Sequence, residues 1–97
     1  MNKLDGNCEC KEVSFEINQE IKYFSHCHCS QCRRCHGSAF ASFIEVEKSL
    51  FQYKSGTKKI KSYSSSEHCE RMFCEICGSN IMFFNKNKPE KYYVSLG

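Results

Sequence analysis

Seven of the nine cysteines stand in three clusters: Cys8-x-Cys10, Cys27-x-Cys29-x-x-Cys32, and Cys74-x-x-Cys77 followed by Gly78. Thiols one or two residues apart, repeated at distant points of a short chain, have the spacing by which a small protein holds Zn²⁺. This constrains the fold first, because an ion gripped from both ends of the chain decides which segments must meet. The two pairs, Cys8 with Cys10 and Cys74 with Cys77, make one closed, structural four-thiolate site. The triplet Cys27, Cys29 and Cys32 makes a second site with three protein ligands, the number found where a fourth position is left for chemistry. Spacing alone leaves that second site either open or closed. Cys32-x-x-Cys35 also has ligand spacing, and His26, His28 and His36 are further sources of a fourth ligand.

Disulfides are the rival use of so many thiols. The odd count, the absence of an apolar leader in Met1–Gly6 and the closeness of Cys-x-Cys neighbours all oppose it. The expected location is therefore the cytoplasm. No apolar run approaches the roughly 18–20 residues that span a bilayer, so no membrane partner is expected. The formal charge of +3 would hint at an acidic partner. Two bound zincs cancel it, since a four-thiolate site carries two negative charges and a three-thiolate site one. Bulk charge then gives no support for nucleic-acid binding.

With 97 residues, the chain is one domain, 1–97, whose modest core gains much from metal stapling. Val13, Phe15 and Ile17 alternate with Ser14 and Glu16, the mark of a strand. Cys8 and Cys10 open that strand, where residues i and i+2 face one side and can share an ion. Ile21–His26 is expected as its hairpin partner across Asn18-Gln19-Glu20. Further strands are expected over Phe40–Val46, Leu50–Tyr53, Ile60–Tyr63, Ile81–Phe84 and Tyr92–Leu96. The one helical turn is Ser30–His36, closed by Gly37. Cys74 and Cys77 form a knuckle for which Gly78 supplies a positive φ. The class is mostly β.

Arg33 and Arg34 follow the third thiol of the triplet and suit either a solvated helix face or a clamp on a substrate carboxylate. Cys69 has no partner at ligand spacing and reads as a lone thiol. Lys54, Lys58, Lys59 and Lys61 read as a solubilising basic stretch around a turn.

Cys27-His28-Cys29-Ser30-Gln31-Cys32-Arg33-Arg34, followed by Gly37-Ser38-Ala39-Phe40, closely resembles the central motif of the glutathione-dependent formaldehyde-activating enzyme family, also called the centromere protein V-type family. Gly6-Asn7-Cys8-Glu9-Cys10 with Val13-Ser14-Phe15 resembles its opening strand, and Arg71-Met72-Phe73-Cys74-Glu75-Ile76-Cys77-Gly78-Ser79 its closing knuckle. The resemblance implies a β-tent fold, small antiparallel sheets pinned by a structural zinc on Cys8, Cys10, Cys74 and Cys77. It implies a catalytic zinc on Cys27, Cys29 and Cys32, with the fourth position open. The activity implied is carbon–sulfur bond formation or cleavage between formaldehyde and the thiol of glutathione. The chain departs from the pattern at Cys35, where the family usually has a non-ligand residue. It also stops at Gly97, after Tyr93-Val94-Ser95-Leu96. This is expected to mean a C-terminally short member, or one completed by a second copy, a homodimer formed through strand pairing.

The function expected is thus a zinc-dependent carbon–sulfur lyase acting on small thiol adducts such as S-hydroxymethyl-glutathione. It would have two zincs per chain, with Arg33 or Arg34 orienting an anionic substrate. The rival is a non-catalytic, zinc-stabilised binding module for a protein partner.

Overall fold

The computed structural model describes residues 3–19, 21 and 23–96. Met1, Asn2, Glu20, Lys22 and Gly97, used above for the leader, the expected hairpin and the chain end, lie outside the described residues. Among the described residues the chain forms nine strands and one α-helix. In order these are β1 (Leu4–Asn7), β2 (Ser14–Ile17), β3 (Phe24–Cys27), α1 (Ser30–His36), β4 (Ala41–Glu47), β5 (Phe51–Ser55), β6 (Ile60–Ser64), β7 (Cys69–Cys74), β8 (Asn80–Asn85) and β9 (Lys91–Ser95).

The strands build a three-stranded sheet, β1-β2-β5, and a six-stranded sheet, β3-β4-β9-β8-β7-β6. All pairings are antiparallel. The mostly β class with one short helix is as expected. The pairing of β2 is not. Its neighbours are β1 and β5, whereas β3 pairs with β4 in the other sheet, Phe24 facing Ile44 and Cys27 facing Ala41. Asn18 looks like a hairpin turn in sequence, but its amide donates to the Leu50 carbonyl at 2.9 Å and leads the chain away instead. Strands β1 and β7 were not foreseen. In β7, Glu70 and Arg71 interrupt the apolar pattern that would have marked it.

The period of two places the core. In β4, Ala41 and Phe43 face one side of the large sheet, and Ile44 and Val46 the other. In β9, Tyr93 shares the first side and Val94 the second. The second side packs against Phe15, Ile17 and Phe51 of the small sheet and forms the main core. Val13, Ile17, Val46 and Val94 are fully buried there. Each such side chain stabilises the fold by roughly 1.5–3 kcal/mol relative to an exposed one. The first side, with Phe43, Phe83 and Tyr93, packs around Cys32 of α1. The register of β7 and β8 jumps from Met72↔Met82 to Phe73↔Asn80, so Ile81 is an extra residue and both Ile81 and Met82 enter the main core.

The helix ends as its sequence requires. Gly37 sits in the left-handed region at φ 59°, and its amide returns to the Arg33 carbonyl. Part of each face of the six-stranded sheet is thus covered, one by the second sheet and one by α1. A cysteine cluster lies at each junction.

Candidate metal centres

The first cluster is assembled by two turns. Cys8 and Cys10 do not open an extended strand as expected; they lie in the turn between β1 and β2. Lys11 donates to the Cys8 carbonyl at 3.1 Å with a left-handed φ of 68°. The turn still brings the two sulfurs to 3.5 Å. Cys74 ends β7, and the knuckle is closed by Gly78, whose amide donates to the Cys74 carbonyl at 2.8 Å and whose φ is 78°. Cys10 and Cys74 bring their sulfurs to 3.7 Å across the two turns.

All four sulfurs of Cys8, Cys10, Cys74 and Cys77 lie within 4.8 Å of one another. A tetrahedral zinc with Zn–S near 2.3 Å has S···S edges of about 3.8 Å. The donor set and its spacing therefore suit that ion. Cys8 and Cys74 are buried, and the Val13 amide donates to Cys8 Sγ at 3.4 Å. Ser79 Oγ stands 3.2 Å from Cys77 Sγ. Hydrogen bonding from Ser79, then from the Cys10 amide, draws the Cys77 thiol down to about 5. Against a lowering bond from the Glu12 amide, desolvation and the thiols of Cys8, Cys77 and Cys74 push Cys10 up to about 12. Four thiols this close cannot all ionise without a cation between them, and a dication would ionise them together.

The second cluster sits where β3 runs into α1. The sulfurs of Cys27, Cys29 and Cys32 lie within 4.8 Å of one another, with Cys27 and Cys29 at 3.4 Å. Cys29 is the N-cap of α1, its sulfur accepting from the Cys32 amide at 3.4 Å. That backbone bond, helped by Cys32 and Cys27 side chains, lowers the Cys29 thiol to about 7. Burial, then Cys27, raises Cys32 to about 12.

Cys35 is not in this group, nor is any histidine, among the described residues. His26 Nδ1 is 2.8 Å from Ser42 Oγ, and its ring meets Phe40 edge-on at 4.7 Å. His28 packs on the same Phe40 at 5.3 Å, and His36 meets Phe43 edge-on at 5.2 Å. Burial, then the charge of Arg71, lowers the pKa of His36.

Arg33 and Arg34 are exposed. Arg34 borders a cavity of about 310 Å³ on α1, with Gln31, Cys35, Tyr63 and Ser65. A larger cavity, about 480 Å³, lies past the C-terminal end of α1, bordered by His36 and Ser38. Its lining is mixed, with Ser38, Ser42, Ser79 and Asn80 beside Phe40 and Ala41, and Cys8 is its only cluster residue. The arginine that meets the triplet is Arg71, in β7. Its Nη2 donates to Cys32 Sγ at 3.4 Å and to Gln31 Oε1 at 3.3 Å. The sequence reading gave it no role. The available signal was a charged residue three positions before Cys74, inside a segment otherwise suited to a strand.

All nine cysteines are free thiols. Among the described residues, no helix is long and apolar enough to cross a membrane.

The family model described as "Glutathione-dependent formaldehyde-activating enzyme" matches residues 3–97. A protein of Schizosaccharomyces pombe, described as an uncharacterized lyase, is 32% identical over 98% of this chain and 67% of its own length. A Halomonas elongata protein described as "Putative glutathione-dependent formaldehyde-activating enzyme" is 28% identical over 90% of this chain and 59% of its own. The chain thus spans about two thirds or less of these relatives. The crystal structure of a Rhodobacter sphaeroides protein superposes with a TM-score of 0.79, covering 96% of this chain and 84% of that one at 24% identity. That likeness bears on the fold.

Proposed function

This chain belongs to the glutathione-dependent formaldehyde-activating enzyme family, and from that premise we propose that it is a zinc-dependent carbon–sulfur lyase-type protein acting on small thiol adducts such as S-hydroxymethyl-glutathione. Cys8, Cys10, Cys74 and Cys77 hold a structural zinc in this reading, and Cys27, Cys29 and Cys32 a catalytic one. The single domain, 1–97, carries both. The names of the relatives support the reaction class, one a lyase and one a formaldehyde-activating enzyme. The observation that carries the reading furthest is the grouping of three sulfurs without a fourth ligand from Cys35 or a histidine among the described residues. A trithiolate zinc supplies a soft Lewis acid with room for one more ligand, such as a substrate thiolate.

The reaction is balanced within its two reactants. A carbon–sulfur bond forms between the thiol and the aldehyde carbon, and the thiol proton passes to the carbonyl oxygen. Cleavage is the reverse. The residues of the chain prepare this in two ways. Cys29, capping α1, is held near its ionised form by the Cys32 amide, so the triplet is ready to take a cation at neutral pH. Arg34 on the rim of the 310 Å³ cavity offers a charge-assisted bond to a carboxylate of the thiol substrate, with Gln31, Tyr63 and Ser65 as polar neighbours. Arg33, exposed one residue earlier, adds positive potential at the same helix end. Nine free thiols also fit a reducing compartment such as the cytoplasm.

Cobalt substitution tests the proposal. Two equivalents should bind, and added glutathione should change the spectrum of one of them, with formation of the hydroxymethyl adduct accelerated over the uncatalysed mixture. Two saturated four-thiolate centres, indifferent to added thiols, would leave the binding-module reading in its place.

A further inference from the structure

Arg71 is 7% exposed, and burial of a guanidinium demands a counter-charge. Among the described residues no carboxylate pairs with it. Its Nη2 reaches Cys32 Sγ and Gln31 Oε1, and its Nε is buried with no acceptor. The ring of Phe83 lies 5.5 Å from the guanidinium carbon and closes off that side. Gln31 is itself fixed, its amide nitrogen donating to the Ser65 carbonyl at 2.9 Å. Among the described residues, cysteine sulfur is the only neighbour of this buried cation that can take a negative charge, and a bound metal would give it one.

We infer that Arg71 is the counter-ion of the Cys27, Cys29 and Cys32 site, a positioning residue that neutralises the loaded triplet and orients Cys32. This rests on the proposed metal occupancy of that site. Three thiolates and one dication carry a net charge of −1, which repels an incoming anionic thiol. The guanidinium brings the sum to zero. Its hydrogen bond also withdraws electron density from the Cys32 sulfur and so leaves the ion a better acceptor for a further ligand. A single nitrogen of Arg71, Nη2, bridges Gln31 and Cys32 on adjacent positions of α1, so it also holds the rotation of the helix that carries Cys32. Exposed Arg33 and Arg34 do neither.

The zinc-loaded full chain provides the test, with release of each zinc followed by a colorimetric chelator. Cys29→Ser identifies the phase that belongs to the triplet. In Arg71→Met that phase should quicken by about tenfold or more, the usual scale for losing an outer-shell partner, while the other phase keeps its rate. Arg71→Lys keeps the charge without the planar guanidinium and should recover part of the difference. In cobalt-loaded protein the sulfur-to-metal charge-transfer band of the triplet should shift in Arg71→Met. Unchanged release together with an unchanged band overturns the inference. Should Arg71→Met fail to fold, Arg71→Gln decides: it removes the charge and keeps a polar donor in the same place, and triplet release at the wild-type rate overturns the inference. A wild-type chain that binds only one zinc refutes the proposed catalytic site itself. Two zincs that both ignore Arg71 refute this inference alone.

Discussion

The backbone amide of Glu9 donates to Ser79 Oγ at 3.1 Å, so a hydroxyl 70 residues along the chain closes the turn that carries Cys8 and Cys10. The same oxygen is 3.2 Å from Cys77 Sγ. Ser79 therefore ties both halves of the four-sulfur cluster together without being a ligand. Ser79→Ala should cost about 1–2 kcal/mol, the loss of two hydrogen bonds at a partly buried position. A thermal melt of the zinc-loaded protein reads this, and an unchanged melting temperature would contradict the role.

Cys74 is fully buried, at 0% exposure, in the main core as well as in the cluster. With zinc on the four sulfurs as proposed, Cys74→Ser removes a ligand from a site of the kind where metal binding and folding are coupled. It should lose one zinc equivalent and several kcal/mol of stability, on the order of what a structural site contributes. Metal analysis alongside circular dichroism checks both. A serine variant with an intact melt would show that this cluster does not hold the fold.

Cys35 has ligand spacing to Cys32 but stands outside the group of three sulfurs. Cys35→Ser should leave two zincs per chain. Loss of one equivalent would make Cys35 the fourth ligand and close the site against substrate.

Tyr53 packs edge-on against Phe51 at 5.0 Å, and burial, then Tyr92, raises its phenol to about 12. The sign follows from linkage. In the unfolded chain the phenol ionises near its ordinary value of 10.0, while in the fold it stays neutral until about 12. Stability is therefore intact below the first value and falls as pH rises through the window between them, by at most about 3 kcal/mol in all. Tyr53→Phe should match wild type at pH 8 and exceed it at pH 11 in urea unfolding. Parallel loss in both proteins would assign the alkaline limb to other groups.

The parts of this molecule that could be read from the chain are those decided by local chemistry. Cysteine spacing named both clusters because a metal needs sulfurs within a few ångströms, whatever lies between. Gly37 and Gly78 marked the end of α1 and the knuckle because each takes a positive φ. Strand existence followed alternation, as at Phe15 and Ile17. Strand partnership did not. Whether β3 sits beside β2 or β4 is settled by which faces bury together across the whole core, and Asn18-Gln19-Glu20 carries no record of that. Arg71 was missed for a related reason. Its significance lies in being buried beside Cys32, 39 residues away, and a charged residue in sequence gives no sign that it is inside.

Strand β7 contributes to both centres. Arg71 points to the α1 side of the large sheet, meeting Cys32 and Phe83, while Cys74 belongs to the core on the opposite side. A change that undocks β7 at the Cys74 knuckle is expected to loosen the guanidinium on the far face as well, because both stand on one strand. The two ions would then load in a hierarchy, the four-sulfur cluster first and the triplet only once β7 is docked, so the reactive centre would be the last part of the molecule to mature.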